Sequence, residues 1–262
     1  MNKLTQTIAI NSESKHHACS GCNDEIELDF DFEYAFQPIV NINAKTIFAH
    51  EALVRGPNGE GAQTILSQVN NQNTYKFDQA CRVKAVKTAS EINLEGMLSI
   101  NFMPNAVYRP ELCIRTTLEA AKKYNFPTKN IIFEFTEQEF IEDSSHILGI
   151  VTEYKKLGFM TALDDFGAGY AGLNFIADFQ PDLIKIDMGL IRNIDKSKSR
   201  QSIVKATCRM CEELNIKIIA EGVETKEERD MLASYGIYLF QGYLFCKPSF
   251  KANGHVNEDA WI

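Results

Sequence analysis

Eight short apolar runs, most of them separated by segments with a helical period, limit most strongly how this chain of 262 residues can fold. Each run has the length of a β-strand, and together they cover 34–40, 46–54, 97–101, 131–135, 159–163, 183–187, 216–220 and 237–240. After the second run the connections are long enough for helices, and their period predicts helices over 68–92, 111–124, 146–157, 199–214 and 226–234. Such alternation is typical of a parallel sheet covered by helices, and eight strands predict a closed (β/α)₈ barrel.

The first connection departs from that plan. Only residues 41–45 separate the first two runs, which is too short for the crossover that two parallel strands need. We therefore expect the first two strands to form an antiparallel hairpin. The predicted fold class is α/β, a modified TIM-like (β/α)₈ barrel with one antiparallel strand.

Composition excludes some classes of function. The chain is 45% hydrophobic and 24% charged, which suits a soluble globular protein. A net charge of −8 argues against binding duplex nucleic acid through a basic face, although an anionic ligand could bind through intervening metal ions. No run approaches the roughly 18 apolar residues of a membrane span, and the first residues lack the pattern of a signal peptide. We therefore expect a cytoplasmic protein that does not enter the membrane.

Polar side chains lie at or near the carboxyl ends of seven of the eight predicted strands. In barrels of this type that rim is where active sites are built. Asp164 and Asp165 are adjacent, and burying both carboxylates unpaired would cost several kcal/mol, a cost that a divalent cation removes. In strand order, the rim residues are Glu51, Asn101, Glu134, Asp164, Asp165, Lys185, Asp187, Glu221 and Gln241.

The ligand types narrow the chemistry. Oxygen ligands with no histidine nearby favour Mg²⁺ or Mn²⁺ over zinc. The carboxylates suffice for two ions with one bridging aspartate, and two such ions suit in-line displacement at a phosphodiester. Lys185 could orient the attacking water or stabilise developing charge.

Ordered motifs carry a resemblance to a known family. They are Phe36-Gln-Pro-Ile39, Glu51-Ala-Leu53, Asn101-Phe102, Phe133-Glu-Phe-Thr-Glu137, Asp164-Asp-Phe-Gly-Ala-Gly-Tyr170, Leu183-Ile-Lys-Ile-Asp187, Ala220-Glu-Gly-Val-Glu224 and Gln241-Gly242. In this order they resemble the EAL-domain cyclic di-GMP phosphodiesterases of bacterial second-messenger signalling. The resemblance implies such a domain over about residues 32–250, an amino-terminal extension over 1–31 and a tail over 251–262.

The resemblance also implies roles for single residues. The implied reaction opens one phosphodiester of cyclic di-GMP and gives linear pGpG, with two Mg²⁺ or Mn²⁺ ions in each active site. Lys185 is similar to a lysine that contacts the nucleophilic water, and Gln241 to a glutamine that lines the site. The implied ligands of the first metal are Glu51, Asn101, Glu134 and Asp164, and those of the second are Asp164, Asp165 and Glu221. The implied catalytic residues are Glu51, Lys185, Glu221 and Gln241, and the substrate contacts are Gln37, Arg55 and Asp187.

A loop over residues 166–173 is implied to couple the metal site to a homodimer interface. It contains Phe166, Gly167 and Gly169, and the resemblance assigns Glu137 to hold it, with Glu224 in support. The alternative is that Glu137 and Glu224 are solvated acids at helix starts, where the helix dipole favours them.

His16, Cys19 and Cys22 form a second candidate site in the amino-terminal extension. They could supply three zinc ligands, or the two cysteines could be a redox pair. A structural zinc needs four ligands and no second cysteine pair lies nearby, so the segment could equally have no special role.

Two further functions stay open. The chain could be a non-catalytic cyclic di-GMP receptor or a regulator that acts through protein contacts. It could also be an unrelated barrel enzyme that uses Mg²⁺ on another phosphoester.

Overall fold

The strands form one sheet that closes on itself. The structure is a computed structural model, and it describes residues 28–107, 109–136, 144–169 and 172–261. In these residues the strands are β1 Glu33–Asn41, β2 Thr46–Arg55, β3 Met97–Asn101, β4 Ile131–Thr136, β5 Met160–Phe166, β6 Leu183–Ile186, β7 Lys217–Ala220, β8 Leu239–Phe240 and β9 Ser249–Phe250. The helices are α1 Ala62–Leu66, α2 Thr74–Glu91, α3 Pro110–Cys113, α4 Arg115–Lys123, α5 Ser144–Lys156, α6 Gly172–Asp178, α7 Met188–Ile191, α8 Lys198–Glu213 and α9 Lys226–Ala233.

The predicted barrel and its reversed strand are confirmed. Neighbouring strands from β2 to β8 pair in parallel, and β1 pairs antiparallel with both β2 and β8, which closes the barrel. The hairpin register sets Gln37 opposite Glu51. The short β9, which the apolar pattern did not predict, pairs antiparallel with β1 at Ala35 and Phe36.

Two predicted helices differ from the observed ones. The helix predicted from residue 68 begins at Thr74, as α2. Before it, the Asn73 side chain accepts a hydrogen bond from the Asn70 amide, and Asn70 accepts one from the Gln72 amide. Such local bonds compete with helical ones, so the chain turns here. The helix predicted over 111–124 is divided into α3 and α4.

The barrel interior has an apolar floor. Its members come from seven strands and are Ile39, Ala49, Ile132, Ala162, Leu183, Ile219 and Leu239, each at most 1% exposed. Residues two apart on a strand point to the same side of the sheet. Therefore the next inward position on each of these strands, toward the rim, lies directly above the floor.

None of the helices in the described ranges is both long and apolar enough to cross a lipid bilayer.

Candidate active site

A polar layer lies directly above the apolar floor. Each member lies two residues after a floor residue on the same strand. On the reversed β1 it lies two residues before the floor residue. They are Gln37, Glu51, Glu134, Asp164, Lys185, Glu221 and Gln241. The third strand follows the same rule, because Ser99 and Asn101 alternate with the buried Ile100 and Leu98. The strand period thus brings the predicted rim residues into one site.

Lys185 is at the centre of this layer, and its side chain is 1% exposed. Its Nζ lies 2.7 Å from Glu221 Oε1, 2.8 Å from Glu134 Oε2, 3.1 Å from Asp164 Oδ1 and 3.5 Å from Glu51 Oε2. Burial alone would lower the pKa of Lys185, but the surrounding carboxylates raise it well above its ordinary value. The ammonium group therefore stays charged.

Glu134 is fully buried, and both of its oxygens have partners. Lys185 donates to Oε2, and the Ser99 hydroxyl donates to Oε1. Burial, opposed by Lys185 and aided by the negative charges of Glu51 and Asp164, raises the pKa of Glu134 to about 8 in total. Ser99 was not among the predicted site residues, although its place two positions before Asn101 on one strand could have indicated it.

A β-bulge explains how adjacent aspartates can both reach the site. In the β5–β6 register, Leu163 lies opposite Ile184 and Phe166 opposite Ile186, so that Asp164 and Asp165 together oppose one residue, Lys185. Asp165 has a left-handed backbone with φ of 54°. In a regular strand consecutive side chains would point to opposite faces, and the extra residue of a bulge removes that restriction.

Carboxylate oxygens from different strands gather in two groups that could each hold a metal ion. Within each group the oxygens all lie within 4.8 Å of one another, and Asp164 belongs to both. The groups are Glu51, Glu134 and Asp164, and Asp164, Asp165 and Glu221. Burial and the charge of Asp164 raise the pKa of Asp165, and burial raises the pKa of Glu221 well above its ordinary value. A divalent cation would relieve this repulsion, so the donor set fits hard cations.

Asn101 lies beside the first group. Its Nδ2 donates to Glu51 Oε1 over 2.9 Å. Because the amide nitrogen is used in this way, the amide oxygen of Asn101 is the atom left to act as a ligand.

The open side of the polar layer is a cavity of about 260 Å³. Its lining includes the predicted residues Gln37, Glu51, Asp165, Asp187, Glu221 and Gln241, together with Met188, Gly222, Glu224, Gly242 and Tyr243. A larger cavity of about 420 Å³ lies at the other end of the barrel, near Cys208 and Tyr235, and among the described residues its lining has one acid, Glu212.

Two amides link the cavity wall to the polar layer. Gln241 Nε2 donates to Glu51 Oε2 over 2.8 Å and to Gln37 Oε1 over 3.3 Å. Gly242 follows at a close approach, since a Cβ there would lie 2.0 Å from the Val223 carbonyl oxygen. Only glycine fits at this position, which explains the Gln241-Gly242 pair.

Arg55 is the predicted substrate contact that does not line this cavity. Its Nη1 donates to the Val54 carbonyl oxygen over 2.7 Å.

The predicted coupling residues are described only in part. The Phe166 carbonyl accepts from the Asp187 amide over 3.2 Å, and a Cβ on Gly167 would lie 2.4 Å from Leu190 Cδ1. Glu224 Oε1 pairs with Arg192 Nη2 at 2.7 Å. Glu137 and the amino-terminal His16, Cys19 and Cys22 lie outside the described residues.

The fold and this site define a class of α/β barrel whose rim binds divalent cations through carboxylates. Within that class, the chain belongs to the EAL domain family, whose model matches residues 23–248. The chain is 56% identical to a standalone versatile EAL protein from Vibrio cholerae O395, solved in a c-di-GMP-bound form. That match covers 89% of this chain and 99% of the other, with a TM-score of 0.87.

Other relatives are longer proteins. BlrP1 of Klebsiella pneumoniae, in a manganese and cyclic di-GMP complex, is 34% identical over 86% of this chain and 58% of its own, with a TM-score of 0.82. The blue light- and temperature-regulated antirepressor BluF of Escherichia coli is 36% identical, and the cyclic di-GMP phosphodiesterase PdeR of the same organism is 38% identical. These matches cover 87% and 50% of this chain, and the chain spans 56% of BluF and 20% of PdeR.

Proposed function

We propose that this chain is a metal-dependent phosphodiesterase that hydrolyses cyclic di-GMP to linear pGpG. The observation that carries the proposal is the pair of carboxylate groups that share Asp164 around the buried Lys185, next to an open cavity. The relatives support the substrate, since the Vibrio cholerae protein was solved with c-di-GMP and PdeR is named a cyclic di-GMP phosphodiesterase.

Two ions of Mg²⁺ or Mn²⁺ complete the proposed site. We assign to the first ion Glu51, Asn101, Glu134 and Asp164, and to the second Asp164, Asp165 and Glu221. When bound, the two ions supply charge stabilisation at the phosphate and a water of lowered pKa. The manganese complex of BlrP1 supports a divalent cation of this kind.

The chain's own groups complete the chemistry. Lys185 keeps its proton because of the surrounding carboxylates, so it can donate a hydrogen bond to the attacking water and offset part of the negative charge. Gln241 holds one oxygen of Glu51, which fixes the orientation of that carboxylate. We therefore assign catalytic roles to Glu51, Lys185, Glu221 and Gln241.

Three residues are proposed to contact the substrate. Gln37 and Asp187 line the cavity and offer an amide and a carboxylate to a nucleotide. Arg55 ends β2, and its planar guanidinium group suits bidentate contact with a phosphate or a guanine edge. The bond from Arg55 Nη1 to the Val54 carbonyl uses one of the five guanidinium N–H donors, so the other donors can contact the substrate.

We further propose a homodimer formed through the loop over 166–173 and the adjacent helix. Phe166 and Gly167 contact α7 and the residue before it, and Gly169, Glu137 and Glu224 complete the coupling set. Light scattering on the purified protein should give twice the chain mass. A strictly monomeric protein with full activity would contradict the coupling.

The amino-terminal segment is assigned a tuning role through zinc or thiol state, by way of His16, Cys19 and Cys22. Replacing both cysteines by serine should change zinc content or turnover, and unchanged values would contradict this role. The cytoplasmic location stays a prediction of the sequence.

A non-catalytic receptor or protein-interaction regulator is the second candidate. BluF is named an antirepressor and is 36% identical, which favours this alternative for at least one relative. Against it, the chain retains every acid and amide of the two proposed metal sites.

The test is direct. Purified protein is incubated with cyclic di-GMP and Mg²⁺ or Mn²⁺, and the products are followed by chromatography. The proposal expects pGpG, and both EDTA and Glu51→Ala should abolish it. Substrate that stays intact but bound would favour the receptor.

A further inference from the structure

Helix α2 carries a buried ion pair that does not line the cavity of the proposed active site. Arg82 Nη2 lies 2.7 Å from Asp78 Oδ2, and the two side chains are 0% and 1% exposed. Burial alone would lower the pKa of Arg82, but the Asp78 carboxylate raises it, so the guanidinium group stays charged. Neither residue contacts the carboxylates of the two proposed metal sites.

Arg82 is held from a second direction. Its Nη1 donates to the Cys113 carbonyl oxygen over 3.2 Å and to Thr117 Oγ1 over 3.4 Å. The guanidinium group is thus fixed against the end of α3 and the first turn of α4. Because Arg82 is fixed, it in turn fixes the orientation of the Asp78 carboxylate.

The other oxygen of Asp78 holds the segment that follows β3. Asp78 Oδ1 accepts from the Met103 amide over 3.0 Å. On the opposite side, the Phe102 amide donates to the Glu134 carbonyl oxygen over 3.0 Å. Asn101 directly precedes Phe102 and Met103, whose backbone amides are both hydrogen-bonded. A cavity of about 310 Å³ borders these three residues.

We propose that Asp78 and Arg82 are positioning residues that set Asn101 in place as a metal ligand. The inference rests on the proposed function, because it takes Asn101 as a ligand of the first ion. Arg82 orients Asp78, Asp78 holds the Met103 amide, and the segment then presents the Asn101 side chain to Glu51 at 2.9 Å.

Stability alone does not account for this ion pair. Burying two charges carries a desolvation cost of several kcal/mol per ion, and an apolar pair of similar volume is often equally or more stable. An apolar pair, however, offers no acceptor to the Met103 amide. Asp78 provides a fixed hydrogen-bond acceptor close to the proposed ligand Asn101. In other metal sites, loss of residues that hold the ligands in place weakens metal binding by about 10- to 100-fold.

The experiment compares two double variants of the full chain. D78L/R82M removes both charges and the acceptor, whereas D78N/R82M removes both charges and keeps an oxygen for the Met103 amide. Mn²⁺ binding is measured by electron paramagnetic resonance of the free ion, and thermal unfolding in EDTA shows that each variant is folded. We expect D78L/R82M to bind the first ion about tenfold more weakly and D78N/R82M to recover to within about threefold of wild type. If leucine prevents folding, D78A/R82M takes its place.

Arg229→Met is the matched control. Arg229 is also a buried arginine, 6% exposed, and donates to the Ala260 carbonyl oxygen over 2.8 Å, away from Asn101. It should lose stability and keep Mn²⁺ affinity. The proposal is overturned if the acceptor-free variant binds Mn²⁺ like wild type, if D78N/R82M is equally weak, or if R229M weakens binding as much. Wild-type protein that binds Mn²⁺ without hydrolysing cyclic di-GMP would contradict the proposed activity and leave this comparison valid.

Discussion

Lys185 places one positive charge among four carboxylates in the barrel interior. Like charges at these separations repel strongly, and the repulsion is greater in a buried site than in water. A single ammonium group can offset only one negative charge, so burial and mutual repulsion raise the pKa values of Glu134 and Glu221. Divalent cations would supply the positive charge that lets all four carboxyl groups ionise.

Replacing Lys185 by methionine separates its two proposed effects. Methionine keeps much of the volume but removes the charge and the donor, so the site becomes more negative. We expect Mn²⁺ affinity to stay equal or increase, while turnover falls by at least about 100-fold, as for loss of a preorganised hydrogen-bond donor. Metal titration and product chromatography measure the two quantities. Weaker Mn²⁺ binding would show that Lys185 supports the metal site structurally.

The pKa of Glu134 gives a pH prediction. As a proposed metal ligand, Glu134 must lose its proton to bind, and burial, only partly offset by Lys185, raises its pKa to about 8. The pKa of Glu221, proposed as a ligand of the second ion, is raised as well. Mn²⁺ affinity should therefore rise with pH, by about tenfold per unit for each proton that binding releases. Titrations at pH values from 6.5 to 9 check this. An affinity independent of pH would mean that Glu134 is already ionised without metal.

At the scale of the elements, the bulge in β5 determines the geometry of the site. Asp164 and Asp165 together oppose Lys185 on β6, and the backbone of Asp165 has a left-handed conformation. Aspartate and asparagine enter this conformation more readily than other side chains with a Cβ. The bulge thus favours the residue type that we also propose as a metal ligand here.

Substitutions at Asp165 test this double requirement. Asp165→Asn should keep the stability of the metal-free protein, whereas Asp165→Ala should be less stable than the asparagine variant by about 1–2 kcal/mol. Both should lose activity, because neither supplies a carboxylate. Urea unfolding in EDTA measures the difference, with Asp165→Gly as the conformational control. Equal stability of alanine and asparagine would argue against a strained bulge.

At the scale of the whole molecule, metal binding should be visible in stability. A ligand that binds only the folded state at 100 times its Kd adds about 2.7 kcal/mol. For a domain of this size that corresponds to a rise in Tm of about 5–10 °C. Calorimetry with Mn²⁺ and with EDTA measures the shift, and Glu51→Ala should reduce it. A shift of equal size in that variant would place the ion elsewhere.

The barrel could be predicted from the sequence because its apolar runs and helical periods repeat over long segments. The strands predicted at 97–101 and 183–187 match β3 and β6 closely. The short α1, α7 and β9 could not be predicted, since two to five residues carry no readable period. Their positions depend on tertiary pairing, as β9 does on β1.

For the site, residue type was more informative than geometry. Acids and amides at strand ends predicted its members, but nothing in an Asp-Asp pair indicates a bulge. Asp78 and Arg82 were missed because, on a helix, they look like an ordinary i,i+4 pair. Only the folded chain shows that one of them reaches the segment beside Asn101.

The reversed β1 has a consequence for the order of assembly on the ribosome. Its free edge is completed at Val40 by β8 and at Ala35 by β9, both of which are synthesised some two hundred residues later. Until those strands emerge, the growing sheet has two open edges, and open edges invite pairing with other chains. The barrel of the nascent protein therefore closes only after β8 and β9 have been synthesised. A chain stalled before residue 239 would expose both sheet edges to aggregation.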